Sequence, residues 1–509
     1  MALALEPFED IGISEQLIES LVAEHQAQTQ PALERLWSYY RNPVRLPGSG
    51  KGDHGSAQEA GLPVRLTGAA KGLLRDDRGR ERETVIENDI GWRVDALVDF
   101  VFGKPVRVVS TADDSTLRDA IERVLDAVWE ASGGIQLLQD MALLGGVYGH
   151  VDLVVRGDAL TTEPGSRRSE PRDVAIEEVV QTAKEGVRIE LIEAQRGIPV
   201  LDPGDYRRVI AYIIRSEQLT NDIAPPSFNG TTRRRIAWLL ERNGQASRAG
   251  QRVQREALEV LSSNARQVYL DRKLVLSASG PGELPVVHIQ NASQPFTYRG
   301  RSDVEGLIPL QDELNTRLSD RAHRVTMQSF RMYLAKGIDG LGEQGSGATI
   351  APGQVWVTDN PDATIDAFGG DLYAPSETEH IDQIREAMDK TSGVSPIVLG
   401  LLRAKVGHLS SENALRITLM GVLSKTERKR QTYGRGILQA SSIVLRMLDR
   451  AGVLKTNPKD RGLALQWLDP LPLDENKRLQ AAQLKLQLGV PQERVLSELG
   501  YGDTDPGVV

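Results

Sequence analysis

An α+β fold of several lobes is predicted for this 509-residue chain, and three observations predict it. A single hydrophobic core stops growing well below this length, so about two to four lobes are expected. Apolar residues recur at helical spacing through roughly the first 150 positions. From residue 150 to 300 they mostly alternate, as in strands, and after 300 the helical period returns.

Taken in order, residues 11–41 predict a helix, with Leu17, Ile18, Leu21 and Val22 continued by Leu33, Leu36 and Trp37 until Asn42-Pro43 breaks it. The stretch Pro47-Gly48-Ser49-Gly50-Lys51-Gly52-Asp53 is glycine-rich but is no phosphate loop. Arg45 stands where the first glycine would be needed, and Gly52 stands where a hydroxyl residue should follow the lysine. Helices are predicted at 84–103, on Ile90, Val94, Leu97 and Val98, at 114–131, and at 134–146 up to Gly145-Gly146. Strands follow at His150–Val155, Val187–Glu193, Arg208–Ile214, Arg235–Leu240, Arg266–Tyr269 and Pro285–Ile289, with polar loops at Thr161–Asp173 and Asn221–Thr232.

A helix over 303–331 carries Leu307, Leu310, Leu314 and Leu318 on one face. A strand pair, Met332–Lys336 with Val355–Val357, brackets a loop, and a helix runs from Glu377 to Lys390. The longest helix covers 411–450, with a kink expected at Gly434-x-Gly436. Residues 473–488 and 491–499 close as a small helical unit.

Composition narrows function by exclusion. The absence of cysteine rules out disulfides, thiolate zinc sites, iron–sulfur clusters and a cysteine nucleophile. No run of about eighteen apolar residues exists to span a membrane. Met1–Asp10 is acidic, unlike a secretory signal, so synthesis in a cytosol is expected. The seven histidines are scattered without metal-ligand spacing, and no nucleophile elbow is present; no metal, cofactor or catalytic residue is assigned. A net charge of −9 argues against a tight nonspecific grip on nucleic acid, yet suits a conduit that lets DNA slide.

Three segments stand out in order. Gly300-Arg301-Ser302-Asp303 opens a helix bearing Asp312, Asn315 and Ser319. Ser392-Gly393-Val394-Ser395-Pro396 leads through an unusually apolar loop, with Ile397, Val398, Leu399, Leu401 and Leu402 beside Arg403, Lys405 and His408, into Ser411-Glu412-Asn413-Ala414-Leu415. Leu468-Asp469-Pro470-Leu471-Pro472 precedes a last helix ending at Gly489-Val490. Within the longest helix Lys425, Arg428, Lys429, Arg430 and Arg435 form a cation cluster, either a solvated face or a contact with another subunit or with DNA phosphates.

In this order the segments resemble the portal proteins of tailed bacteriophages, over residues 300–500. The resemblance implies a portal fold: a wing at 1–264 (helical to 149, β-rich from 150), a clip at 265–300, a stem helix at 301–331, a return to the wing at 332–391, a DNA-facing tunnel loop at 392–410, a long kinked helix at 411–455 and a crown at 456–509. Gly393, Pro396 and Gly407 are the expected hinges. Where the family often has Ser-Gly-x-Ala-Leu this chain has Glu412, which moves the hinge toward Gly407. The resemblance further implies a homo-oligomeric ring, commonly of about twelve copies, at one capsid vertex of a virion assembled in the host cytoplasm. Double-stranded DNA would pass through it in packaging and ejection. Its partners would be a terminase large subunit that supplies the ATPase, the major capsid or scaffolding protein, and a head-completion adaptor. The rival readings are another ring-forming head-completion or adaptor protein, and a metal-dependent nucleic-acid enzyme.

Overall fold

The computed structural model describes residues 15–43, 56–63, 66, 84–157, 160, 175–219, 254–271, 273–280, 282–329, 332–336, 362, 364–368, 375–399, 416–471, 475–492 and 495–496. The first predicted helix is two, α1 (Glu15–Glu24) and α2 (Gln30–Arg41), joined by a π-turn at His25–Thr29. A π-turn closes its hydrogen bonds one residue late and so rotates the helical phase. That rotation lets Ile18 and Val22 pack on one sheet while Leu33, Leu36 and Tyr39 enter a different, mainly helical core.

Helix α3 starts at Asp89, not at 84, with Asn88 accepting from the Gly91 amide as its cap, and ends at Phe102. After a short strand, β1 (Arg107–Ser110), come α4 (Ser115–Ala131) and α5 (Gly134–Tyr148). The β-rich region is two antiparallel sheets. One, in the order β3-β2-β9, joins His150–Arg156 (β2) to Arg188–Ile192 (β3) and Val286–Gln290 (β9). The other is a five-stranded meander of Gly197–Asp202 (β4), Asp205–Leu219 (β5), Gln254–Ser262 (β6), Ala265–Leu270 (β7) and Lys273–Ser279 (β8). Val154, Ile192, Tyr212, Ile214, Leu261 and Val286 fill the space between them. Helix α6 (Ile176–Gly186) was not expected in this β-rich stretch; its Val179 and Ala183 turn inward beside α4.

The later elements are α7 (Ile308–Ser329), β10 (Met332–Lys336), β11 (Thr364–Phe368), α8 (Pro375–Ser392), α9 (Met420–Arg450), β12 (Leu463–Gln466) and α10 (Glu475–Gln487). Strand β10 pairs with Thr364–Phe368; the expected Val355–Val357, like the expected strand Arg235–Leu240, lies outside the described residues.

One expectation needs correction. Residues 265–300 are not a separate clip: β7 pairs with β6 and β8 with β7 in the five-stranded sheet, and β9 pairs with β2, so a boundary at 264/265 would cut a hairpin. Helix α9 runs unbroken through Gly434 and Gly436. These glycines serve close packing. A Cβ on Gly434 would lie 3.1 Å from Leu465, and one on Gly436 only 2.3 Å from the Ile289 side chain. The helix contributes no side chain at these contacts and lets Leu465 and Ile289 reach its backbone, over a core that includes Ile437, Ala440, Val444, Val151, Leu153 and Ile289.

Gly436→Ala is therefore expected to cost about 1–3 kcal/mol by overpacking. Combined with Ile289→Ala the loss should fall short of the sum of the two single losses, read from thermal melts; simple additivity would show that this contact does not set the spacing.

Candidate functional site

The three segments singled out from the sequence converge on the first half of α9. Helix α5 ends with carbonyl groups that no intrahelical donor can reach. The chain from 291 to 303 satisfies them: Asp303 N donates to Gly146 O at 2.8 Å, Asn291 N to Gly149 O at 2.9 Å, and the Ser302 hydroxyl to Val147 O at 2.6 Å. The approach is so close that a Cβ on Gly149 (φ 90°) would sit 2.3 Å from the Gly300 carbonyl oxygen. Asp303 is thereby held in the interior, where α9 supplies two cations. Lys429 Nζ lies 2.5 Å from Oδ2 and Lys425 Nζ 2.8 Å from Oδ1. Asn291 donates to the same carboxylate at 3.0 Å and accepts from Lys429 at 2.7 Å and from the Tyr433 hydroxyl at 2.9 Å. Burial alone would push the Asp303 pKa up, but the two ammonium charges and their hydrogen bonds outweigh it and hold the carboxyl well below the usual range.

Lys425 also donates to the Ser392 carbonyl at 2.8 Å, which ties in the second segment. Gly393 adopts φ 68°, a left-handed turn at the end of α8 that favours glycine. Arg93, 1% exposed, grips that turn from α3, donating to the Ser392 hydroxyl at 3.0 Å and to the Val394 carbonyl. Its other nitrogen reaches Asp89 at 3.0 Å and Asp389 at 2.7 Å. Val394 is buried with Leu97, Leu419, Val422 and Leu471, so the third segment meets the second here. Asp469 pairs with Arg416 at 2.6 Å and caps the Leu471 amide at 3.0 Å.

The same seam runs on along α7. Gln311, Asn315 and Ser319, four residues apart, accept from the amides of Asp89, Glu87 and Val85 at 3.0, 3.0 and 2.9 Å. Four helical residues advance about 6.0 Å and two extended residues about 6.6 Å, so a polar stripe on a helix can serve as the pairing partner of an extended chain. This is why residues 84–88 are not helical. Asn315 and Ser319 were expected as stem-helix markers, and the structure places both in this seam. Asp312 lies beside it, accepting from the Tyr39 hydroxyl at 2.9 Å.

Of the loop residues, Ile397 and Val398 are half-buried against the Val394 cluster, and Pro396 is buried. Leu399 stands in a short helical turn, while Leu401, Leu402, Arg403, Lys405, Gly407 and His408 lie outside the described residues. Of the cation cluster, Lys429 is 3% exposed and Lys425 is paired, both inside the chain. Arg430 lies over Trp467, 5.0 Å from its ring, and donates to Leu468 O at 2.9 Å. Arg428 and Arg435 face outward.

Sequence reading missed a second buried group, in the sheets. Asp152 accepts from His288 Nδ1 at 2.7 Å, the Tyr298 hydroxyl at 2.8 Å and the Tyr212 hydroxyl at 2.6 Å. Strand residues from distant positions and Tyr298, beyond the end of β9, form it, so no local spacing announces it. The other His288 nitrogen lies 2.7 Å from the Tyr298 carbonyl. His150, fully buried beside them, is pushed down to about 4 by burial, against the opposing pull of Asp152. Among the described residues no group of His, Asp and Glu is placed to hold a metal ion, and no helix is long and apolar enough to cross a membrane.

Residues 271–504 match the family model described as "Phage portal protein, SPP1 Gp6-like", a stretch that contains all three converging segments. The portal resemblance read from the sequence is thus matched by a portal-family model over that stretch. No curated protein gives a significant match. Among solved structures, a chain described as "Neck of empty GTA particle computed with C6 symmetry" aligns at 13% identity and a TM-score of 0.39, covering 85% of this chain and 95% of its own. Another, from "Virion of native gene transfer agent (GTA) particle", aligns at 13% identity and 0.37, covering 93% of this chain and 100% of its own.

Two measurements check this site. Asp303→Asn is expected to destabilise the fold by about 3–5 kcal/mol, because Lys429 is left buried without its counter-charge; adding Lys429→Met should recover part of the loss in urea unfolding. His150 carries no proton in the folded chain until the pH nears 4, whereas an unfolded histidine binds one below about 6.5. Stability should therefore fall as pH drops through that window, by up to roughly 3 kcal/mol from this group. His150→Leu should flatten that slope; an unchanged slope would assign the protons elsewhere.

Proposed function

We propose that the chain is a portal protein, copies of which close into a ring of about twelve at one capsid vertex. Double-stranded DNA would pass through the ring during packaging and ejection. The observation that carries this reading is the family match over 271–504, coinciding with the convergence of residues 300–303, 392–394 and 468–471 on α9. A polar seam at that junction suits a component that keeps its shape while a polymer moves past it, since each buried group is committed to a specific partner.

Within this reading α7 is the stem helix and the wing comprises residues 1–264 together with β7, β8 and β9. The clip moves from 265–300 to the β10–β11 pair, which follows the stem helix and forms a two-stranded sheet of its own. The tunnel loop is 392–410, with Ser392–Val398 as its fixed base and Leu399, Leu401, Leu402, Arg403, Lys405 and His408 toward DNA; the hinge lies nearer Gly407 than Gly393 or Pro396. Of the five clustered cations on α9, Arg428 and Arg435 are the ones available to a neighbouring subunit or to phosphates. The crown is 456–509. Terminase, capsid or scaffolding protein and a head-completion adaptor are the partners this position implies.

Negative-stain electron microscopy of the purified protein should give end-on class averages of rings with a central hole wide enough for a duplex. Monomers persisting across salt and protein concentration would count against the portal reading.

A further inference from the structure

Helix α10 stands apart from the cores described above. Between Leu479 and Gly489 every residue except Ala482 is exposed, and the exposed ones include Leu479 (49%), Leu484 (59%), Leu486 (44%) and Leu488 (82%). A helix turns about 100° per residue. Leu479, Ala482 and Leu486 therefore share one side, and Ala481, Leu484 and Leu488 share the opposite side. A surface helix normally carries one apolar stripe, turned to its own core. This one carries two, back to back, and a helix of 13 residues without tertiary cover is marginal in water.

We propose that the two stripes are where neighbouring copies of this chain meet, Leu479 and Leu486 of one α10 packing on Leu484 and Leu488 of the next. The proposal rests on the ring reading above. A single unrelated partner would cover one stripe and leave the other bare. A second copy offers the opposite stripe, so one head-to-tail contact, repeated, covers both on every copy, and a closed ring leaves none uncovered. One flank between the stripes is Gln480, Gln483 and Gln487, and the other holds Arg478 and Lys485, so identical helices approach without like-charge repulsion on the glutamine side. A free-standing dimer needs about 800 Å² from each partner, far more than four partly exposed leucines supply. The contact therefore forms inside an assembly that the rest of the chain also holds.

The chain has no cysteine, so introduced thiols report on this contact alone. In the full-length protein, Leu484→Cys with Leu486→Cys should give, on mild oxidation or with a short bismaleimide, a ladder of covalent species continuing past the dimer. Each single variant should stay uncrosslinked, because Leu486 meets Leu484 only across copies. Dimers from a single variant would mean a two-fold contact and would overturn the proposal. Rings seen in micrographs without any ladder would overturn it while leaving the portal reading standing. Absence of rings in the unsubstituted protein would remove the portal reading, and the proposal with it.

Discussion

The junction of α5, β9, α8 and α9 is organised around one carboxylate. Asp303 is buried between Lys425 and Lys429, and each group around it belongs to a different part of the chain: Gly146 to α5, Asn291 to the end of β9, Ser392 to the end of α8, the lysines to α9. Ionic groups in an interior are a poor source of net stability, because desolvation consumes most of the attraction. Their effect is selective. A wrong register of α9 by one residue would leave an ammonium or a carboxylate unpartnered, and that penalty is far larger than the loss of an apolar contact. The pair thus fixes position more than it adds stability.

From that point the polar contacts continue in two directions. Through Lys425 they reach Ser392, and through Ser392 they reach Arg93 and Asp89. Asp89 hands the connection to Gln311, where the stripe on α7 begins. Each step spans sequence separations that no local pattern encodes. The seam also limits where the apolar loop can bend, since residues up to Val394 are anchored by side chains from α3 and α9. Gly393 is there as a turn that only a permissive residue fits easily, and side chains from α3 and α9 hold that turn from two sides.

What was legible in the sequence was whatever repeats along it. Helical and strand periods located α4, α5, α7, α9 and most strands of the β-rich region, and the order of three short segments pointed to a portal. What was not legible depended on partners far away in the chain. Thr84–Asn88 has an acceptable helical pattern and is extended because α7 offers its amides a row of acceptors. Gly434 and Gly436 read as a kink in a helix, but glycine also marks close approach, and only Ile289 and Leu465 reveal that second role. The seam residues Asn315 and Ser319 were picked out by resemblance, and their bonding to an extended chain was not foreseeable from spacing alone.

The cations of α9 show how the same residue type divides its labour. Five basic side chains within eleven positions invite an electrostatic reading, yet Lys425, Lys429 and Arg430 are spent on Asp303, Ser392, Leu468 and Trp467. Arg428 and Arg435 remain outward on this helix, in a chain whose formal charge is −9. Affinity for a duplex grows with each phosphate neutralised, and so does the barrier to moving along it. A wall that must pass DNA without holding it gains from keeping its lysines inside. If the portal reading holds, burying two lysines against Asp303 does both tasks at once, locking the junction and removing two positive charges from the surface.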